Sequence, residues 1–136
     1  MRVLICEDDL VSRKVLSRFL APFGETVLAA DGNEATKHFE EAVQANKPFD
    51  LILLDMVMPF KDGLETLKSV RDHERQAGTK EPVKIIMLTG QGDSLQINQA
   101  KTIGISDYML KPIEEVKLVR ELQRLGLVPD EQDQWG

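Results

Sequence analysis

Leu51, Ile52, Leu53 and Leu54 run straight into a single carboxylate, Asp55, and Met58-Pro59 follows. A short unbroken apolar run bounded by polar residues reads as a strand buried on both faces. An acid at its carboxyl end then stands where the core meets ligand. Pro59 has no amide hydrogen for a sheet and restricts Met58 to extended geometry, so the strand stops there. Three other apolar runs end in polar groups: residues 3–6 in Glu7-Asp8-Asp9, residues 83–88 in Thr89 and residues 106–110 in Lys111. Each has an ordinary explanation alone. Acids favour the positive end of a helix, and for Asp9 that explanation is preferred; Thr89 could be a turn hydroxyl and Lys111 a solvated charge. Brought to one rim, three acids, a hydroxyl and an ammonium do something else. Two carboxylates 4 Å apart repel by roughly 4 kcal/mol at an effective dielectric of about 20. A hard divalent cation relieves this, and Mg²⁺ typically uses one or two carboxylates together with phosphate. Such a set suits phosphate, and a carboxylate like Asp55 can itself accept a phosphoryl group, with the cations neutralising the transferring charge.

The elements that must position these groups follow in order. After residues 3–6 comes an amphipathic stretch in which Val11, Val15 and Phe19 recur at four-residue spacing beside Leu16 and Leu20. This predicts a helix, ended by Pro22 and Gly24. Residues 26–30 predict a second strand. Asp31 or Asn33 can cap the next helix, whose apolar face is Ala35, Phe39, Ala42 and Val43. After the Asp55 strand, Asp62-Gly63 marks a turn, and Leu64, Leu67 and Val70 a third helix. Residues 72–81 are highly polar and read as a frayed helix end and exposed loop. A weaker fourth helix rests on Leu95, Ala100 and Ile103 and stops at Gly104. The fifth strand is short and interrupted by Asp107, as suits a sheet edge. Val116, Val119, Leu122 and Leu125 carry the fifth helix, with Gly126 as its C-cap. Five strand–helix pairs imply a doubly wound parallel α/β sheet with helices on both faces. In such a sheet the ligand crevice lies outside the carboxyl ends of the strands.

The chain has 136 residues, 42% of them apolar, enough for one domain with a core. No apolar run approaches ~20 residues, so no membrane insertion is expected. The single cysteine, Cys6, lies within an apolar run and reads as a small core residue in a reducing compartment, hence a cytoplasmic location. The formal net charge of −6 without a basic cluster argues against direct nucleic-acid binding. His38 and His73 have no partners at ligand spacing and read as surface histidines.

The ordered set of Glu7-Asp8, Asp55 with Met58-Pro59 and Asp62-Gly63, Thr89, Tyr108 and Lys111-Pro112 resembles the receiver domain of two-component response regulators. The match covers residues 1–125, leaving 126–136 as an acidic tail or the start of a linker. The resemblance implies a flavodoxin-like fold with strand order 2-1-3-4-5. It implies phosphorylation of Asp55 by a sensor histidine kinase or a histidine phosphotransfer protein. Asp8, Asp55 and the backbone carbonyl of Val57 would hold Mg²⁺ (or Mn²⁺), with Glu7 acting through water. Lys111 would contact the phosphoryl group, Thr89 would move towards it, and Tyr108 would swing inward. The face of helix four, strand five and helix five would then receive a downstream protein or a second copy. Val57 and Gln91 occupy the positions that tune phosphate lifetime. The domain would be a switch that assists its own phosphorylation and dephosphorylation, and not otherwise an enzyme. Glu7 stands where many members have aspartate. Three rival readings fit less well. A phosphatase resembling the haloacid-dehalogenase group needs a second aspartate two residues after the first, where this chain has Val57. A pseudo-receiver that is never phosphorylated would not need the full set of acids, Thr89 and Lys111. A flavin site would need a Ser/Thr/Gly-rich loop after the first strand.

Overall fold

In the computed structural model, residues 1–90 and 93–130 are described. Among them five strands alternate with five α-helices: β1 Arg2–Cys6, α1 Leu10–Leu20, β2 Glu25–Ala29, α2 Gly32–Gln44, β3 Leu51–Asp55, α3 Gly63–Ala77, β4 Lys84–Thr89, α4 Ser94–Ile103, β5 Asp107–Leu110 and α5 Glu115–Arg124. The sheet is parallel throughout in the order β2-β1-β3-β4-β5, as expected. Because successive strand residues face opposite sides, the sheet divides its apolar residues between two cores. Leu4, Ile52, Leu54, Ile85 and Met87 pack under α2, α3 and α4. Val3, Ile5, Leu51, Leu53, Ile86 and Leu88 pack under α1 and α5. β1, β3 and β4 are buried on both faces, which is why they read as unbroken apolar runs.

Local chemistry sets the joints. Asp9, Asp31 and Asp62 each accept from a first-turn backbone amide of the helix that they open, and Asp62 completes a capping box with Glu65. A short 3₁₀ turn, Ala21–Phe23, ends α1 before Gly24. Gly63 is required by proximity: a Cβ there would lie 2.3 Å from the Asp55 carbonyl oxygen. That closeness lets α3 start directly behind the end of β3.

Several helix faces differ from the sequence expectation. In α1 the sheet takes Leu16 and Leu20, while Val11 and Val15 stay exposed. The two rows lie side by side on the helix, and the pattern alone does not say which one meets the sheet. In α4, Ile97 and Ala100 are buried and Leu95 is exposed. At about 100° per residue, Leu95 points away from Ile97. In α5 the buried pair is Leu118 and Leu122; Val116, again two residues off, is exposed. Residues 72–77 are regular helix and not a frayed end, because Glu74 is buried and fully used. Its Oε1 accepts from Arg71 Nη1 at 2.7 Å and its Oε2 from the Val83 amide at 2.7 Å. Gly78 then closes α3 in the left-handed conformation, φ 67°. His73 is half-buried, edge-on to Phe39 at 5.5 Å between ring centroids. Past residue 125, Val128 is buried, and Leu127 packs against the α1/α5 core beside it. No helix among the described residues is long and apolar enough to cross a membrane.

Candidate functional site

Strand register brings the polar termini together. Cys6 pairs with Leu54, so the next residues along, Glu7 and Asp55, fall side by side. Asp55 pairs with Leu88 and Thr89 with Leu110, so Thr89 and Lys111 each stand one step beyond a paired position on the same rim. Carboxylate oxygens of Glu7, Asp8 and Asp55 lie within 4.8 Å of one another. Glu7 and Asp55 are buried, and Asp8 is exposed.

Lys111 is the cation that reaches the carboxylates of this rim, while Arg13 Nη1 donates to the Glu7 carbonyl at 2.9 Å. Its Nζ lies 2.9 Å from Asp55 Oδ1 and 3.0 Å from Glu7 Oε2. The Val57 amide also donates to Asp55 Oδ1, at 3.2 Å, and the Asp9 amide to Glu7 Oε1, at 3.2 Å. Glu7 Oε2 is buried and receives no well-directed hydrogen bond; its contact with Lys111 is one of charge. Desolvation therefore pushes the Glu7 carboxyl up to about 7; Lys111 opposes the rise and the Asp55 charge adds to it. For Lys111, desolvation works against the charge, but the Asp55 and Glu7 carboxylates outweigh it and raise its pKa. One ammonium does not settle three crowded acids. An all-oxygen cluster with an unsatisfied buried carboxylate oxygen fits a hard divalent cation such as Mg²⁺.

Asp9 and Cys6 are bystanders to that chemistry. Asp9 caps α1 through the Ser12 amide and hydroxyl, and these bonds lower its pKa. Cys6 is fully buried, and desolvation, with the charges of Asp55 and Glu34, raises its pKa, so it is a core residue and no nucleophile. The Val57 side chain is 68% exposed and apolar. Gln91 lies outside the described residues.

The sequence pattern of the response regulator receiver domain matches residues 3–123. The chain belongs to the response regulator receiver family. The transcriptional regulatory protein AruR of Pseudomonas aeruginosa is 32% identical over 125 residues, covering 91% of this chain and 48% of AruR. The chain spans about half or less of the length of the curated relatives that it matches most strongly. Among solved structures, the receiver domain of the P. aeruginosa sensor histidine kinase PA1611, with magnesium coordinated in its active-site cleft, is 31% identical. Its TM-score is 0.73, covering 90% of this chain and 94% of that one. The co-crystal of the Saccharomyces cerevisiae phosphotransfer protein Ypd1 with the receiver domain of Ssk1 gives 27% identity and a TM-score of 0.80, covering 96% and 94%. The protein is thus a receiver domain of two-component signalling, a switch domain by fold.

In this receiver domain Thr89 is buried, and its hydroxyl is engaged by Asp93 at the start of α4. Thr89 Oγ1 donates to Asp93 Oδ2 at 2.8 Å, with the Gly90 carbonyl a longer alternative at 3.2 Å. Thr89 and Tyr108 line one cleft of about 370 Å³ with Asp93, Ile97 and Lys101. Tyr108 is 37% exposed, with Lys101 Nζ 5.3 Å from its ring centroid. Sequence reasoning missed Asp93; its signal was an aspartate directly before a helix. It also missed Glu74 and Arg71, whose partners lie partly in other segments.

Proposed function

We propose that this receiver domain accepts a phosphoryl group on Asp55 from the phosphohistidine of a sensor histidine kinase or a histidine phosphotransfer protein. One observation carries the reading: Lys111 Nζ bridges Asp55 and Glu7 at the rim where three carboxylates converge. In the transfer, the bond between phosphorus and the donor imidazole nitrogen breaks and a bond from phosphorus to an Asp55 carboxylate oxygen forms. The imidazole leaves with the electron pair. Lys111, already placed at Asp55, follows the phosphoryl oxygens as a fixed positive charge. Asp8, Asp55 and the Val57 carbonyl would hold Mg²⁺, with Glu7 acting through water, and Mn²⁺ suits the same donors. The bound metal supplies positive charge to the phosphoryl oxygens. In this way the domain assists its own phosphorylation and, with water as acceptor, its dephosphorylation. Val57 and Gln91 would tune the latter.

The donor is expected to approach along α1. Val11 and Val15 border a cleft of about 430 Å³ that reaches Lys111, Pro112 and Ile113 beside the site. The apolar face of a donor helix suits it. The Ssk1 receiver, crystallised with a phosphotransfer protein, and the magnesium-bound PA1611 receiver support the donor and the metal by analogy. Thr89 would then move to the phosphoryl group and Tyr108 inward, changing the face of α4, β5 and α5 for a downstream protein or a second copy. The acidic charge argues against direct nucleic-acid contact, and the lone buried thiol suits the cytoplasm. The receiver domain would span residues 1–125, with 126–136 as an acidic tail or the start of a linker whose Leu127 and Val128 pack on the α1/α5 core. The alternative is a pseudo-receiver that binds partners without phosphorylation. Mass spectrometry after incubation with acetyl phosphate and Mg²⁺ decides. The wild type should gain one phosphoryl group and Asp55→Asn none; equal labelling of the two, or none in either, would sink the reading.

A further inference from the structure

Three helices open on an aspartate whose side chain caps them: Asp9, Asp31 and Asp62. α4 also opens on an aspartate, Asp93, but its side chain makes no capping bond. Its Oδ2 instead points back to β4, accepting from Thr89 Oγ1 at 2.8 Å and from the Gly90 amide at 3.1 Å. The first turn of α4 therefore lacks the side-chain acceptor that its own N-cap residue could offer.

A threonine hydroxyl has one hydrogen to give. Thr89 cannot fully serve both Asp93 and an anion on Asp55. We propose that Asp93 is a positioning residue that withholds the Thr89 hydroxyl from the unphosphorylated site, and that its release lets it cap α4. The inference rests on the phosphorylation reading above and adds a competitor to it. Both acceptors are anionic, so both bonds to the hydroxyl are of the stronger, charge-assisted kind. The exchange is nearly balanced, as a switch requires. When Thr89 turns to the phosphoryl group, the Asp93 carboxylate loses its main donor, and the amides of the first turn of α4, Leu95 and Gln96, are the nearest replacement. The signal passes to α4 as a change of partner for one carboxylate.

The test uses the whole chain with Mg²⁺ and beryllofluoride, which mimics the acyl phosphate. Asp93→Asn keeps the shape and the capping ability while removing the charge; Asp93→Ala removes both acceptor and cap. Each is made in the wild type and in Thr89→Ala. Removing a negative charge near an anion site helps binding whatever Thr89 does, and the Thr89→Ala pair measures that part. Expected are affinities for beryllofluoride about tenfold tighter for Asp93→Asn and Asp93→Ala, shrinking to about twofold or less when Thr89 is alanine. Amide exchange at residues 95 and 96 should slow on beryllofluoride binding in the wild type and in Asp93→Asn, but not in Asp93→Ala. In the absence of beryllofluoride, the rotamer of Thr89 and the Gly90 amide shift, read by NMR, should already change in Asp93→Ala. Equal gains with and without the Thr89 hydroxyl would overturn the competition, as would unchanged Thr89 and Gly90 signals. Protection at residues 95 and 96 in Asp93→Ala would overturn the capping step. If the wild type shows no Asp55-dependent beryllofluoride binding, the phosphorylation reading itself fails, an outcome distinct from these.

Discussion

Removing the charge of Glu7 should stabilise the metal-free protein, and the gain should depend on pH. The Glu7 carboxyl titrates near 7 in the folded protein against an ordinary value of 4.5. Below pH 4.5 both folded and unfolded chains carry its proton and stability is unaffected. Between 4.5 and 7 the folded chain keeps the proton and the unfolded chain loses it, so rising pH favours unfolding. At about 1.4 kcal/mol per pH unit, the cost reaches about 3 kcal/mol by pH 7 to 8 and then levels off. Lys111 does not mask this. Its pKa is raised from 10.5, so the stability that it contributes is fully present below that value and is lost only in more alkaline solution. With an unfolding entropy of about 2.1 cal/mol/K per residue, about 3 kcal/mol corresponds to a melting shift of about 10 °C for this chain. The assay is thermal unfolding of the wild type and Glu7→Gln from pH 5 to 8, in chelator and in excess Mg²⁺. In chelator the wild type should lose stability with rising pH and Glu7→Gln should stay nearly flat, so that the two diverge towards pH 8. Mg²⁺ should lift the wild type most at pH 8, by about 1.4 kcal/mol at ten times its dissociation constant. Parallel curves for the two proteins in chelator would refute the reasoning.

Gly63→Ala should cost at least about 2 kcal/mol in urea unfolding, because its Cβ would lie 2.3 Å from the Asp55 carbonyl oxygen; a neutral result would mean that α3 can retreat freely. Glu74→Ala should cost about 3–5 kcal/mol, since it strands the largely buried Arg71 guanidinium and the Val83 amide; a loss under 1 kcal/mol in the same assay would show the network to be dispensable. Val57→Asn should release phosphate from phosphorylated protein faster than the wild type, because Val57 has no polar group to orient a water beside Asp55. A slower variant would count against that role.

The parallel sheet and the rim of polar groups were legible because both follow from strand ends; the strand order came from the family resemblance alone. Residues 51–54 are apolar without interruption only if both faces are covered, and such strands imply crossovers that place Asp55, Glu7 and Lys111 at one edge. Which side of each helix meets the sheet was less legible. In α1 the row of Val11 and Val15 and the row of Leu16 and Leu20 have equal claims by spacing, and only packing chose the second. Glu74 was misread for a different reason. A buried carboxylate depends on partners in other segments, here the Val83 amide across nine residues, and no local pattern announces it. Asp93 sat in a recognisable capping position, yet its bond runs backwards to Thr89.

The two ends of α4 are held by unequal means. At its far end the Gly104 carbonyl accepts from Arg71 Nε at 2.9 Å, and Arg71 is itself fixed by buried Glu74. Those contacts involve no group of the Asp55 site. The near end is tied to β4 by the Thr89–Asp93 bond, which the proposed exchange of partners would break. A rod pinned at one end and released from the sheet at the other swings, and its excursion grows with distance from the pin. With ten residues, α4 is about 15 Å long, so a few degrees of tilt shifts Leu95 by about an ångström and leaves Thr102 almost still. A binding partner that grips the Leu95 end would feel each phosphorylation event, whereas one seated at the Thr102 end would stay bound through the cycle.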